Sequence, residues 1–89
     1  MRISLISLIS VVETNNGYKA EIEFEFSDES RVAGQVDFTY FFDDVDQSYK
    51  LNYDLGQLNK FLVLHEDKEF VHDVLSDEDF ILELQQYVS

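Results

Sequence analysis

His65, Glu69 and His72 recur at i, i+4 and i+7, so a helix running through them would carry two imidazoles and one carboxylate along a single face. Those are zinc-ligand types. The pattern is not the His-Glu-x-x-His of zinc proteases, because position 69 is Glu where a second His is required. The apolar helical stripe also fails over residues 65–69, which suggests a helix break there, and no fourth ligand stands out. Two surface histidines among carboxylates are the preferred reading, and no metal is expected. Asp43, Asp44 and Asp46 loosely resemble the opening of a calcium loop. Such a loop needs Gly at its sixth position and a bidentate Glu at its twelfth. Counting from Asp44, those positions hold Tyr49 and Leu55, so that motif is absent.

Paired carboxylates can serve as general acid and base. In a chain with 19 Asp and Glu, acid pairs are unavoidable and single out nothing. No nucleophile elbow, phosphate loop or dinucleotide fingerprint is present, and Ser, His and Asp show no triad spacing. The chain is therefore expected not to be an enzyme and to carry no cofactor.

The acids themselves are the dominant signal. Six Lys and Arg against 19 Asp and Glu leave a formal charge of −13, where a small domain usually carries a magnitude of about 2–8. That excludes direct nucleic-acid binding, which draws its affinity from Lys and Arg on phosphates, and disfavours an anionic membrane surface. Disorder is excluded by the 45% hydrophobic and 15% aromatic content. With no cysteine, the 89 residues must stabilise themselves through one hydrophobic core. The apolar start of the chain is broken by Ser4, Ser7 and Ser10 and has no cleavage pattern before Glu13. A cytoplasmic location is expected.

The elements that must position these groups divide into a strand half over about 2–53 and a helical half over about 54–89, forming a single domain 1–89. Residues 2–13 repeat Ser every third position, which suits a central strand or a strand with a register-switching bulge. Asn16-Gly17 signals a type I′ hairpin turn. Ala20, Ile22, Phe24 and Phe26 then alternate with Lys19, Glu21, Glu23 and Glu25 in an unambiguous strand. Residues 31–42 alternate again, with Gly34 marking a bulge or a close approach. Tyr49, Leu51 and Tyr53 form a fourth strand. Asp54 and Gln57 resemble a capping box ahead of Leu58, Phe61 and Leu62. Ser76 is placed to cap a last helix whose first turn holds Asp77, Glu78 and Asp79 and whose stripe is Phe80, Ile81, Leu84, Tyr87 and Val88.

Strands followed by amphipathic helices predict an α+β fold: a four-stranded antiparallel meander sheet with two or three C-terminal helices packed on one face. The opposite sheet face is left to Glu21, Glu23, Glu25 and Asp37, with Lys19 and Lys50 as the only evident counter-charges. Alternate carboxylates stand roughly 6.6 Å apart along a strand, a regular row of negative charge.

A partner for such a surface is a basic protein: a nuclease toxin or a nucleic-acid-binding defence protein. In general character the chain is similar to bacterial toxin-immunity proteins and phage-encoded acidic inhibitors, although no motif is matched and no residue is carried over from them. The expected contact residues are Glu21, Glu23, Glu25, Asp37, Asp43, Asp44, Asp46, Tyr49, Glu66, Asp67, Glu69 and Asp73. Tyr40, Phe41, Phe42, Tyr49 and Tyr53 flank the Asp43–Asp46 connection, and neighbouring strand residues cannot both face a core. The inhibitor itself is expected as a monomer or homodimer, and the competing expectation is an accessory or oligomerisation module whose acidity serves solubility only.

Overall fold

Alternation of apolar and charged side chains along β2 (Gly17–Phe26) organises everything else. Tyr18, Ala20, Ile22, Phe24 and Phe26 are buried on one face while the residues between them turn to the other. In the computed structural model, which describes residues 2–88, β2 is flanked by β1 (Ile3–Thr14) and β3 (Arg31–Asp43), and β3 by β4 (Ser48–Asp54). All three pairings are antiparallel and the order is β1-β2-β3-β4, a four-stranded meander. A 3-10 helix (Gly56–Phe61), α1 (His65–Leu75) and α2 (Glu78–Tyr87) follow and cover one face, giving the expected α+β fold.

The period of three in β1 has a physical origin. The ladder with β2 slips between Ile3 and Leu5 and again between Leu8 and Ser10, so Ser4 and Ile9 are extra residues. Each bulge resets the parity. As a result Ile3, Ile6, Leu8 and Val11 all stand opposite the core-facing Phe26, Phe24, Ile22 and Ala20. β1 is an edge strand rather than a central one.

The turns carry two corrections. Thr14 pairs with Gly17, so Asn15 and Asn16 are the central turn residues, and neither has positive φ. The turn is therefore not type I′. Gly17 is needed for space: a Cβ there would lie 1.8 Å from the Phe38 carbonyl oxygen. Gly34 sits in an unbroken β2–β3 register, so it marks a close approach and not a bulge. Its missing side chain makes room for Leu58, whose Cγ would be 2.8 Å from an added Cβ.

In the helical layer Asp54 accepts the Gly56 N–H at 2.9 Å, and Gly56 has φ +57. A 3-10 helix follows in place of the capping-box helix. α1 has no break at residues 65–69. Its buried stripe is Asp67, Val71 and Leu75, and the carboxylate standing where an apolar residue is expected made the periodicity look interrupted. Ser76 ends α1, and Asp77 caps α2 by accepting the Asp79 N–H at 3.1 Å. Leu55, Leu58, Leu62, Val71, Leu75, Phe80 and Leu84 close over the sheet, with the Phe38 and Phe80 rings 6.1 Å apart. No helix among the described residues is long and apolar enough to cross a membrane.

Candidate functional site

The outward sheet face is the first place where the predicted carboxylates can be located. Glu21, Glu23 and Glu25 lie there opposite Gln35, Ala33 and Arg31, and Asp37 lies opposite Lys19. The Arg31 guanidinium bonds Glu25 through Nη2 at 3.1 Å and through Nε at 3.1 Å, and its Nε stands 3.9 Å from Glu23. Asp37 accepts the Gln35 side-chain amide at 3.1 Å. Arg31 is thus a third counter-charge, beyond the expected Lys19 and Lys50. It escapes notice in the sequence because only the β2–β3 register brings it across the turn. β1 contributes no charge here: the residues opposite Glu25, Glu23, Glu21 and Lys19 are Leu5, Ser7, Ser10 and Val12. The face is mixed, not a bare anionic row.

The β3–β4 hairpin carries the second group. Asp43 accepts the Val45 N–H at 2.9 Å and takes Lys50 Nζ at 3.0 Å. Lys50 also bonds Asp46, so one ammonium serves two carboxylates. The Lys50 hydrogen bond, with help from the Val45 N–H, holds the Asp43 carboxyl below the usual carboxylate range. Asp46 and Asp43 reciprocally push Lys50 up. Asp44 has no ion pair or side-chain hydrogen bond among the described residues.

Tyr40, Phe42, Tyr49 and Leu51 stand on the helix-facing side of this hairpin, but the helices stop short of it. Tyr49 is 73% exposed, and Tyr40 and Phe42 are exposed too. The Phe42 and Tyr49 rings meet edge to face at 5.3 Å. Tyr40 donates to or accepts from the Tyr18 hydroxyl at 3.0 Å, and this bond, together with burial, pushes the Tyr18 phenol up to about 12. Phe41 lies on the outward face, opposite Lys50. Between hairpin and helices is an open cleft of about 600 Å³, whose lining includes Tyr40, Tyr49, Leu51, His72, Glu78 and Ile81. Beside it the Tyr53 hydroxyl is 2.9 Å from His72 Nδ1, tying β4 to α1.

The helical layer holds the third group. Glu66 and Asp73 are exposed with no ion pair among the described residues, and Glu69 is 2.9 Å from His65 Nε2. Asp67 departs from expectation: only 3% exposed, it accepts the Ile3 N–H at 3.1 Å and is not available to a partner. Its place in the first turn of α1 sets the carboxylate against the positive end of the helix dipole. His65, Glu69 and His72 do share the continuous helix α1, yet His65 is turned to Glu69 and His72 to Tyr53.

The predicted contact residues therefore fall on three regions. Glu21, Glu23, Glu25 and Asp37 face away from the helices, Asp43, Asp44, Asp46 and Tyr49 form the hairpin end, and Glu66, Glu69 and Asp73 ride on α1. The first and third regions lie on opposite sides of the sandwich and cannot meet one flat surface together. From His65 to Tyr87 there are eight Asp and Glu and the single cation Lys68. Glu78 and Ile81, which line the cleft from α2, were not anticipated, because a helix shows its stripe in sequence but not what lies across from it. Searches against protein families, curated proteins and solved structures find no match for the chain.

Proposed function

We propose that this protein acts stoichiometrically and without catalysis, binding and masking a basic surface of another protein, one built to hold nucleic acid. A nuclease toxin neutralised by its immunity protein and a defence complex blocked by a phage inhibitor are two settings for the same physics. The observation that supports this reading most is the cleft. Exposed Tyr40, Phe42 and Tyr49 stand beside carboxylates that have no ion pair among the described residues: Asp44 at the hairpin, Glu78 in the cleft lining, and Asp73 in a neighbouring groove that shares His72. Aromatic anchors supply buried area and the free carboxylates supply steering, with association rates rising from about 10⁵–10⁶ to 10⁸–10⁹ M⁻¹s⁻¹ at low salt. The paired carboxylates of the sheet face contribute to the general field and less to the contact.

The test is capture from the native host at low salt, identification by mass spectrometry, and stopped-flow association with the purified binder. The reading expects a basic, nucleic-acid-binding protein whose association rate falls steeply with ionic strength and which releases its nucleic acid when bound. A second reading, self-association with acidity for solubility, is favoured by exposed Leu5, Ile9 and Val12 on β1. It expects a homodimer that does not weaken as salt rises, because salt screens the repulsion between two acidic chains.

A further inference from the structure

The two edges of the sheet are finished differently. On β1 two extra residues interrupt the ladder, Asp67 takes the Ile3 N–H, and the Leu8 carbonyl accepts the Tyr87 hydroxyl at 3.2 Å. Bulges and covering groups of this kind keep an edge strand from pairing with foreign chains. β4 has none of them. It runs in unbroken register with β3 from Ser48 opposite Asp43 to Asp54 opposite Asp37, and contains neither Pro nor Gly. Among the described residues no loop or side chain hydrogen-bonds its backbone from outside the sheet. A lysine commonly guards such an edge. Here Lys50 is drawn to Asp43 and Asp46 at the turn.

We propose that the β4 edge receives an extended, cationic segment of the partner protein as a fifth strand, an assignment that rests on the function proposed above. In an antiparallel ladder every second residue of β4 turns its N–H and C=O outward, and these groups supply affinity without regard to sequence. Seven residues offer about 23 Å of edge. Alternate side chains of the incoming strand extend the helix-side surface of Tyr49, Leu51 and Tyr53, while its lysines or arginines meet Asp43, Asp44 and Asp46 at one end and Asp54 at the other. Charge decides the occupant. A second copy would bring two chains of −13 together, whereas a cationic strand neutralises the carboxylates it meets.

The probe is a capped heptapeptide alternating Lys and Val, with two isomers N-methylated along one or the other of its two edges. It is titrated into the full-length protein at low salt, with amide NMR and hydrogen exchange as readouts. Strand addition protects amides within residues 48–54, and one N-methylated isomer binds on the order of tenfold or more weaker than the other. Equal binding of both isomers with no protection of 48–54, by the peptide or by a captured basic partner, overturns the strand assignment and leaves the charge-based function standing. Capture of no basic partner at all overturns the function beneath it. Protection of the outward-turned amides of 48–54 in the peptide-free protein, beyond those already bonded to β3, with a dimer mass in sedimentation, overturns the assignment in favour of a second copy.

Discussion

The Asp67 carboxylate accepts the backbone N–H of Ile3 at 3.1 Å, across 64 residues, and thereby pins the start of the edge strand β1 to the first turn of α1. Replacing Asp67 with Ala leaves that N–H buried without a partner, a loss of about 1–3 kcal/mol. Asp67→Asn retains an acceptor and loses less. Urea unfolding with an unchanged m-value is the measurement, and the two variants being equally stable would remove the tie from the account.

Gly34 and Leu58 form a shape-matched pair. A methyl group at position 34 meets the Leu58 branch point, so Gly34→Ala costs on the order of 1–3 kcal/mol. Leu58→Ala alone opens a cavity worth about 2–5 kcal/mol. The double variant is less destabilised than the sum of the two, and a thermodynamic cycle reads the difference directly.

Acid stability involves Asp28 and Asp43. Asp28 is held below its ordinary value of 3.8 by hydrogen bonds from the Ser30 hydroxyl and N–H, and Asp43 by Lys50 and the Val45 N–H. A depressed folded-state pKa contributes stability that is complete above 3.8 and is lost as pH falls through the lower folded value. Carboxyl-detected NMR titration is expected to show both groups protonating late. Ser30→Ala moves Asp28 back toward its ordinary range and Lys50→Ala does the same for Asp43, each without moving the other.

Alkaline titration isolates Tyr18, raised to about 12 chiefly by the Tyr40 hydroxyl and then by burial. Its phenol stays protonated in the folded protein where the unfolded chain has lost the proton. The associated stability is complete below pH 10 and declines as pH rises toward 12. Burial also pushes the Tyr53 phenol up, so absorbance near 295 nm should show Tyr18 as the last of the late phenols, and Tyr40→Phe should bring that last transition down. A late transition unmoved by Tyr40→Phe would assign the shift to burial alone.

Charge reversal distinguishes free carboxylates from paired ones. Asp44→Lys with Glu78→Lys is expected to slow association with the proposed basic partner by about tenfold or more at low salt, an order of magnitude set by electrostatic steering. Glu21→Lys, Glu23→Lys and Glu25→Lys together slow it less, because the second and third already face Arg31. The opposite ranking in stopped-flow mixing would move the contact to the outer sheet face.

Periodicity was legible locally, whereas the turn and cap chemistry at Asn16-Gly17, Asp54 and Ser76 was not. Alternation in β2, the stripe of α2 and the strand-then-helix order led to the meander covered on one face, because hydrophobic periodicity depends on near neighbours. Asp67 shows where that reasoning stops. A carboxylate on a core stripe looks like a broken helix until Ile3, far off in sequence, supplies the N–H that satisfies it.

The chain alone determined its charge, its lack of thiol chemistry and which side chains share each face of β2, β3 and β4, since these follow from composition and from the geometry of single elements; the faces of β1 waited on its bulged pairing with β2. Only the tertiary structure decided that Arg31 bonds Glu25 and stands beside Glu23, that the predicted contact residues fall on separate surfaces, that Tyr40, Phe42 and Tyr49 outrun the helices, and that one sheet edge is guarded while the other is open. Each of these depends on strand register and on how far one layer extends over another, distances set by the whole packed core and carried by no local stretch of sequence.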